Sequence, residues 1–149
     1  MTPVFLDTNV FTRASSKGHV QYAEAVRAIQ RLKQSRTPLC MAPQNVYELW
    51  VVFTRPINAN GFGWSASTAA EQIRAVTRFV TRLEDGPLVY REWMRLVRSY
   101  SILGKPAHDA RLVAIMNIHD VKHIVTFNVA DFARFPHLTI WTPAAVPAN

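Results

Sequence analysis

The chain has 149 residues, 49% of them hydrophobic and 18% charged, and 17 Lys and Arg against 10 Asp and Glu leave a net charge of +7. This composition excludes intrinsic disorder and suits one globular domain, expected over 1–149, that is long enough to bury a core. It also excludes a disulfide framework or a cysteine-built zinc site, since Cys40 is the single cysteine, and no stretch nears the ~18 apolar residues of a membrane span.

The chain opens with Val4-Phe5-Leu6, a short buried strand that turns polar at Asp7-Thr8-Asn9. The apolar run is too short for a secretory signal, so the expected setting is soluble, reducing and cytoplasmic, away from membranes. Ligands of open α/β sheets sit beyond the carboxyl ends of strands, which is where Asp7 falls. An Asp there also serves as a helix cap, and both readings stand on this stretch alone.

Val10-Phe11 begin a short helix or turn that Gly18 ends. From Val20 to about Lys33, Val20, Ala23, Val26, Ile29 and Leu32 form one helical stripe. Pro38 to Met41 is a second buried strand, with Cys40 an inert thiol. Pro43 suits the first turn of a helix over 43–54 that buries Val46, Leu49, Trp50 and Phe53. Gln44 and Glu48 share another face of it. Glu48 reads either as an exposed helix former or as a second carboxylate aimed at the end of the first strand.

Arg55-Pro56 stop that helix, and a loop from Asn58 to Ser65 carries Trp64, either packed against the loop or open to stack on a base. Ser65 or Ser67 caps the next helix, whose stripe runs Ala66, Ala69, Ile73, Val76, Val80 and Leu83. Arg74, Arg78 and Arg82 repeat every four residues along it, either as a phosphate-backbone contact or as a solvated face. After the Asp85-Gly86-Pro87 turn, Leu88 to Tyr90 reads as a strand. Arg91 to Leu103 reads as a helix burying Trp93, Leu96, Val97, Tyr100 and Leu103.

Pro106 opens a helix from Ala107 to about His119 with Asp109 in its first turn, where an acid favours the helix dipole or joins a crevice. The strand His123 to Phe127 precedes Asn128 and Asp131, repeating the opening pattern of apolar strand and polar cluster. His137 to Trp141 is a last strand, and 144–149 is a Pro- and Ala-rich tail. Strands alternating with helices predict an α/β fold with a mostly parallel sheet. His119 and His123 lie across a helix-to-strand junction and lack a third soft ligand for zinc.

Asp7, Glu48, Asp109 and Asp131 each lie where a strand ends or a helix begins, places that converge on one crevice in a doubly wound sheet. Four carboxylates gathered there repel one another unless divalent cations intervene, and oxygen-only ligands select Mg²⁺ or Mn²⁺ over zinc. Such a site acidifies water and neutralises a phosphodiester under in-line attack. An acidic pit on a basic exterior therefore suits nucleic-acid hydrolysis.

Four segments carry a family resemblance: Val4 to Val10 (VFLDTNV), Pro43 to Pro56 (PQNVYELWVVFTRP), His108 to Val113 (HDARLV) and Ile124 to Phe132 (IVTFNVADF). In this order they resemble the signature segments of PIN-domain proteins, most of all the VapC toxins of bacterial toxin–antitoxin pairs, and the ending Leu138 to Pro143 (LTIWTP) is similar too. The resemblance implies an α/β/α sandwich and an Mg²⁺- or Mn²⁺-dependent endoribonuclease that leaves 5′-phosphate and 3′-hydroxyl ends and restricts translation and growth. It also implies a homodimer and a small VapB-like antitoxin that covers the crevice. It makes Asp7, Glu48, Asp109 and Asp131 the metal ligands, with Thr8, Asn9, Thr126 and Asn128 as supporting polar groups. The chain departs at Asn128, where many PIN domains carry an acid; this leaves the second metal to Asp131 or to the Asn128 amide. Two rivals are a haloacid dehalogenase-type phosphatase, disfavoured by Asn9 where such enzymes need an acid, and a non-catalytic basic module that binds nucleic acid without metal.

Overall fold

The structure is a computed structural model and describes residues 1–148. In chain order the elements are β1 (Val4–Leu6), α1 (Thr8–Ala14), α2 (Tyr22–Gln34), β2 (Leu39–Met41), α3 (Pro43–Thr54) and α4 (Ala66–Thr77). They continue with β3 (Thr81–Arg82), α5 (Pro87–Ser99), α6 (Pro106–Ile118), β4 (His123–Val125), α7 (Val129–Phe132) and β5 (Thr139–Trp141). The five strands form one sheet in the order β3-β2-β1-β4-β5, and every pairing is parallel.

Alternation along the strands splits the core into two layers. Phe5, Cys40 and Ile124 face α5 and α6, packing with Val89, Leu96, Leu112 and Met116. Val4, Leu6, Met41 and Val125 face the other way, against Phe11, Leu32, Leu49, Phe53 and Val76. Helices on both faces of a parallel sheet are the expected α/β/α sandwich. The strand order runs outward from β1 in both directions, so β1 and β4 flank the switch point where such sheets open a crevice. Among the described residues no helix is long and apolar enough to cross a membrane.

Several local expectations are corrected. On α2 the inward line is Ala25, Ala28 and Leu32, whereas Val20 precedes the helix and is exposed. On α3 the buried line is Asn45, Leu49 and Phe53, and Trp50 is exposed, because a polar residue occupies a core position that apolar periodicity passes over. The helix expected through Leu83 stops at Thr77. Thr81–Arg82 instead pair with Cys40–Met41, and the Leu83 N–H donates to the Met41 carbonyl at 2.8 Å. Pairing wins there because β2 is buried and its outer backbone groups need partners.

Leu88 to Tyr90 form no strand: with Pro87 at its start, α5 takes them as its first turn, burying Val89 alone and exposing Leu88 and Tyr90. The same helix ends at Ser99, so Leu103 is exposed while Ile102 is buried. The strands at 123 and 137 are trimmed to three residues each. The expectations at Ser65 and Cys40 hold. Ser65 Oγ accepts from the Thr68 N–H at 3.1 Å, and the Cys40 thiol is buried with its pKa pushed up to about 12 by that burial. Trp64 packs on Phe53 and Phe62, with ring centroids 4.7 and 5.0 Å away. The tail begins with a short turn at Pro143–Ala145, and its last residue, Asn149, lies outside the described residues.

Candidate active site

Asp7 directly follows β1 and caps α1, so strand and helix together fix it at the carboxyl edge of the sheet. Its side chain is buried and every partner donates to it. Oδ1 accepts from the Thr8 N–H at 2.8 Å, and Oδ2 accepts from Thr126 Oγ1 at 2.7 Å and Asn9 Nδ2 at 3.1 Å. Thr126 follows β4, the strand beside β1, and is fully buried. Asn9 ties the two strand ends together: its Nδ2 also donates to Thr126 Oγ1 at 3.2 Å, and its Oδ1 accepts from the Phe127 N–H at 3.2 Å.

Glu48 reaches the site from the middle of α3, half-buried. Its Oε2 accepts from Thr8 Oγ1 at 2.6 Å and its Oε1 from Gln44 Nε2 at 2.9 Å. Gln44 Nε2 also donates to the His108 carbonyl at 3.2 Å, linking α3 to the start of α6. Asp109 lies in the first turn of α6, half-buried, and Asp131 in the first turn of α7, exposed. Asn128 precedes α7 with its side chain exposed and its N–H donating to Thr126 Oγ1 at 3.0 Å.

The electrostatics show that the four acids share one neighbourhood. Burial pushes the Asp7 carboxyl up to about 6; hydrogen bonds from Thr126 and the Thr8 backbone oppose the rise, and the charges of Glu48 and Asp131 add to it. Asp109 is pushed up to about 7, first by burial and then by Asp131, Asp7 and Glu48, with Arg134 pulling the other way. Among the described residues no salt bridge involves any of the four.

That donor set fits a hard divalent cation in chemistry: oxygen atoms, high negative charge, and burial that raises the cost of leaving the charge uncompensated. The fit is not a finished cage. Among the described residues no three His, Cys, Asp or Glu side chains form a group that could hold an ion. Carboxylates without a counter-ion repel, so an open cluster is the arrangement expected of them.

The arginines expected in a row are spread over three kinds of structure. Arg74 is in the last turn of α4, Arg78 caps that helix and Arg82 lies in β3; all three are exposed. Sequence reasoning missed Asn45, a fully buried side chain that joins Thr8, and left Gln44 without a role. The available signal was position: Asn45 and Gln44 precede Glu48 by three and four residues, on neighbouring turns.

A parallel α/β/α domain with an acidic cluster at its switch point defines the class of protein. The PIN domain family model matches residues 4–138. The chain therefore belongs to the PIN domain family. Its fold is similar to VapBC2 from Rickettsia felis bound to a DNA fragment from their promoter (TM-score 0.70, 14% identity, covering 95% of this chain and 98% of that one). It is also similar to VapBC-1 from nontypeable Haemophilus influenzae (TM-score 0.69, 17% identity, 95% and 98% covered). A third neighbour is VapC20 of Mycobacterium tuberculosis, a Sarcin-Ricin loop cleaving toxin (TM-score 0.62, 18% identity, 89% and 95% covered). No curated protein matches the sequence.

Proposed function

We propose that this chain is a single-domain, Mg²⁺- or Mn²⁺-dependent endoribonuclease, the VapC-type toxin of a toxin–antitoxin pair, which cleaves RNA in the cytoplasm to restrict translation and growth. The observation that carries the reading is the set of four carboxylates at the sheet's switch point. Burial and the neighbouring acids raise the proton affinity of Asp7 and Asp109, and among the described residues none of the four has a salt-bridge partner.

Asp7, Glu48 and Asp109 would hold the metal, with Asp131 as the solvent-facing ligand. A bound divalent cation supplies charge neutralisation for the phosphodiester and a more acidic attacking water. The chain's own contribution is positioning. Thr126 and Asn9 hold Asp7 Oδ2, Thr8 and Gln44 hold the two oxygens of Glu48, and Gln44 spans to the backbone ahead of Asp109. Asn128 is exposed, where its amide can meet a water or RNA. The net charge of +7 supports a polyanionic substrate.

Complexes of VapB with VapC among the structural neighbours support a small VapB-like antitoxin as partner. A homodimer is supported by the outer face of α3, where Tyr47, Trp50 and Val51 leave apolar surface exposed. The deciding experiment is cleavage of a labelled structured RNA by antitoxin-free protein with Mg²⁺, Mn²⁺ or EDTA, beside Asp7→Asn. Metal-dependent cutting lost in the variant is the expected result. Binding without cutting, unchanged by EDTA or the variant, would reduce the chain to a basic binding module.

A further inference from the structure

We propose that Asn45 is a positioning residue for the metal site, acting through Thr8 to hold Glu48; this rests on the function proposed above. The inference follows from the direction of three hydrogen bonds. The Ala42 N–H can only donate, and it lies 2.8 Å from Asn45 Oδ1, which fixes the orientation of that amide. The other end of the amide, Nδ2, is therefore the atom 2.9 Å from Thr8 Oγ1, and an amide nitrogen can only donate. The Thr8 oxygen accepts that bond, so its single proton is left for another acceptor. Glu48 Oε2 stands 2.6 Å away and takes it.

The chain of donation thus runs one way, from the backbone of Ala42 through Asn45 and Thr8 into Glu48. Gln44 Nε2 supplies the other oxygen at 2.9 Å. Each Glu48 oxygen accepts one bond from the protein and keeps lone pairs for a ligand. Without Asn45 the Thr8 hydroxyl is free to rotate, and Glu48 loses a fixed donor. Position 45 lies on the buried line of α3 with Leu49 and Phe53, where an apolar side chain would fill the space as well. An amide buried there is tolerated because both of its ends are satisfied. Its bond to Ala42 alone would make it only a cap for α3. The bond to Thr8 adds the second role.

The test measures Mn²⁺ affinity by titration calorimetry in the absence of RNA, for Asn45→Ala, Thr8→Val and the double variant. Each single change is expected to weaken Mn²⁺ binding about 10- to 100-fold, the usual range for groups that orient ligands. The double variant is expected to lose no more than the worse single one, because both cut the same chain. Thr8→Ser restores a hydroxyl and should recover most of what Thr8→Val loses. Asn45→Asp keeps an acceptor for Ala42 but offers Thr8 no donor, so it should also weaken binding, whereas added charge alone would strengthen it.

A cap-only role predicts a lower melting temperature for Asn45→Ala with Mn²⁺ affinity intact, and that result overturns the proposal. Losses that multiply in the double variant overturn it too. If Asn45→Ala does not fold, the Thr8 and Asn45→Asp variants still decide. Should the wild-type protein bind no Mn²⁺, the nuclease reading falls and this role falls with it. Should it bind and cut while the variants bind equally well, only the role of Asn45 falls.

Discussion

Thr126 donates a 2.7 Å hydrogen bond to Asp7 Oδ2 across 119 residues of sequence. The sheet accounts for it: β1 and β4 pair in parallel with Leu6 opposite Val125, so the next residue of each strand emerges side by side. Both are buried, and the hydroxyl is one of the two groups holding down an Asp7 proton affinity that burial raises. Strand register therefore builds the centre of the site before any helix contributes.

Thr126→Val keeps the shape of the side chain and removes the donor. Asp7 Oδ2 then retains only Asn9, and the Asn9 and Asn128 bonds to the Thr126 hydroxyl are lost as well. The expected cost is about 1–3 kcal/mol in urea unfolding at neutral pH, the range for a buried polar group left short of a partner. A variant as stable as the wild type would mean that this bond contributes nothing.

Stability without metal should fall as pH rises. Asp7 and Asp109 have folded-state pKa values raised from 3.8 to about 6 and about 7, so between those limits the folded protein binds more protons than the unfolded chain. Their favourable contribution is complete below pH 3.8 and is lost as pH rises through about 6 to 7. For buried Asp7 the loss is about 3 kcal/mol; half-buried Asp109 adds the same sign with a smaller size. Glu92 and His137, both with lowered values, act in the opposite sense. The measurement is urea unfolding in EDTA from pH 4 to 8, repeated with saturating Mn²⁺, which should flatten the decline. Equal pH profiles with and without Mn²⁺ would remove the carboxylates as the cause.

Asp109→Asn separates stability from activity at one position. The carboxylate is held up by burial and by three neighbouring acids, so removing its charge should stabilise the metal-free protein at pH 8. Solvent screening limits that gain to no more than about 1 kcal/mol. RNA cleavage should fall at least about 100-fold, on the scale of losing one electrostatic stabiliser. Retained cleavage in this variant would remove Asp109 from the site.

The acids were legible in the sequence because each follows a short apolar run or opens a helix, and a parallel sheet has one edge where such positions meet. Asn45 was not, since apolar periodicity on α3 counts Val46 and Trp50 and skips a polar residue that is more deeply buried than either. Thr81–Arg82 were hidden for a different reason. They are strand only because β2 needs a neighbour, and that need is set by Cys40 and Met41, far earlier in the chain. The first turn of α5 was misread because Leu88-Val89-Tyr90 has strand-like residues and the decisive signal was Pro87 before them.

The exposed apolar face of α3 yields a test of the homodimer. Tyr47, Trp50 and Val51 are 68, 39 and 52% exposed at i, i+3 and i+4 of one helix face, a contiguous apolar patch of the kind that marks an interaction surface. Val51→Glu places a charge in the middle of it without touching the buried line Asn45, Leu49 and Phe53. Sedimentation at micromolar concentration should show a dimer for the wild type and a monomer for the variant. A dimer in both would move the interface elsewhere.

The three arginines can be ranked by where the fold puts them. β3 runs parallel to β1, two strands away, so Arg82 at its carboxyl end opens onto the same edge of the sheet as Asp7. Arg74 and Arg78 lie at the end of α4, before the chain reaches that strand. All are exposed, and none has a salt-bridge partner among the described residues, so each is free to meet phosphate. Each phosphate contact releases counterions and steepens the salt dependence of binding by about 0.7 in log–log slope for a single strand. Arg82→Gln should therefore lower the slope for RNA binding by about 0.7 in the Asp7→Asn background, where cleavage does not interfere. Arg74→Gln and Arg78→Gln should each lower it less. Equal slopes for Asp7→Asn with and without Arg82→Gln would place the RNA on another face of the molecule.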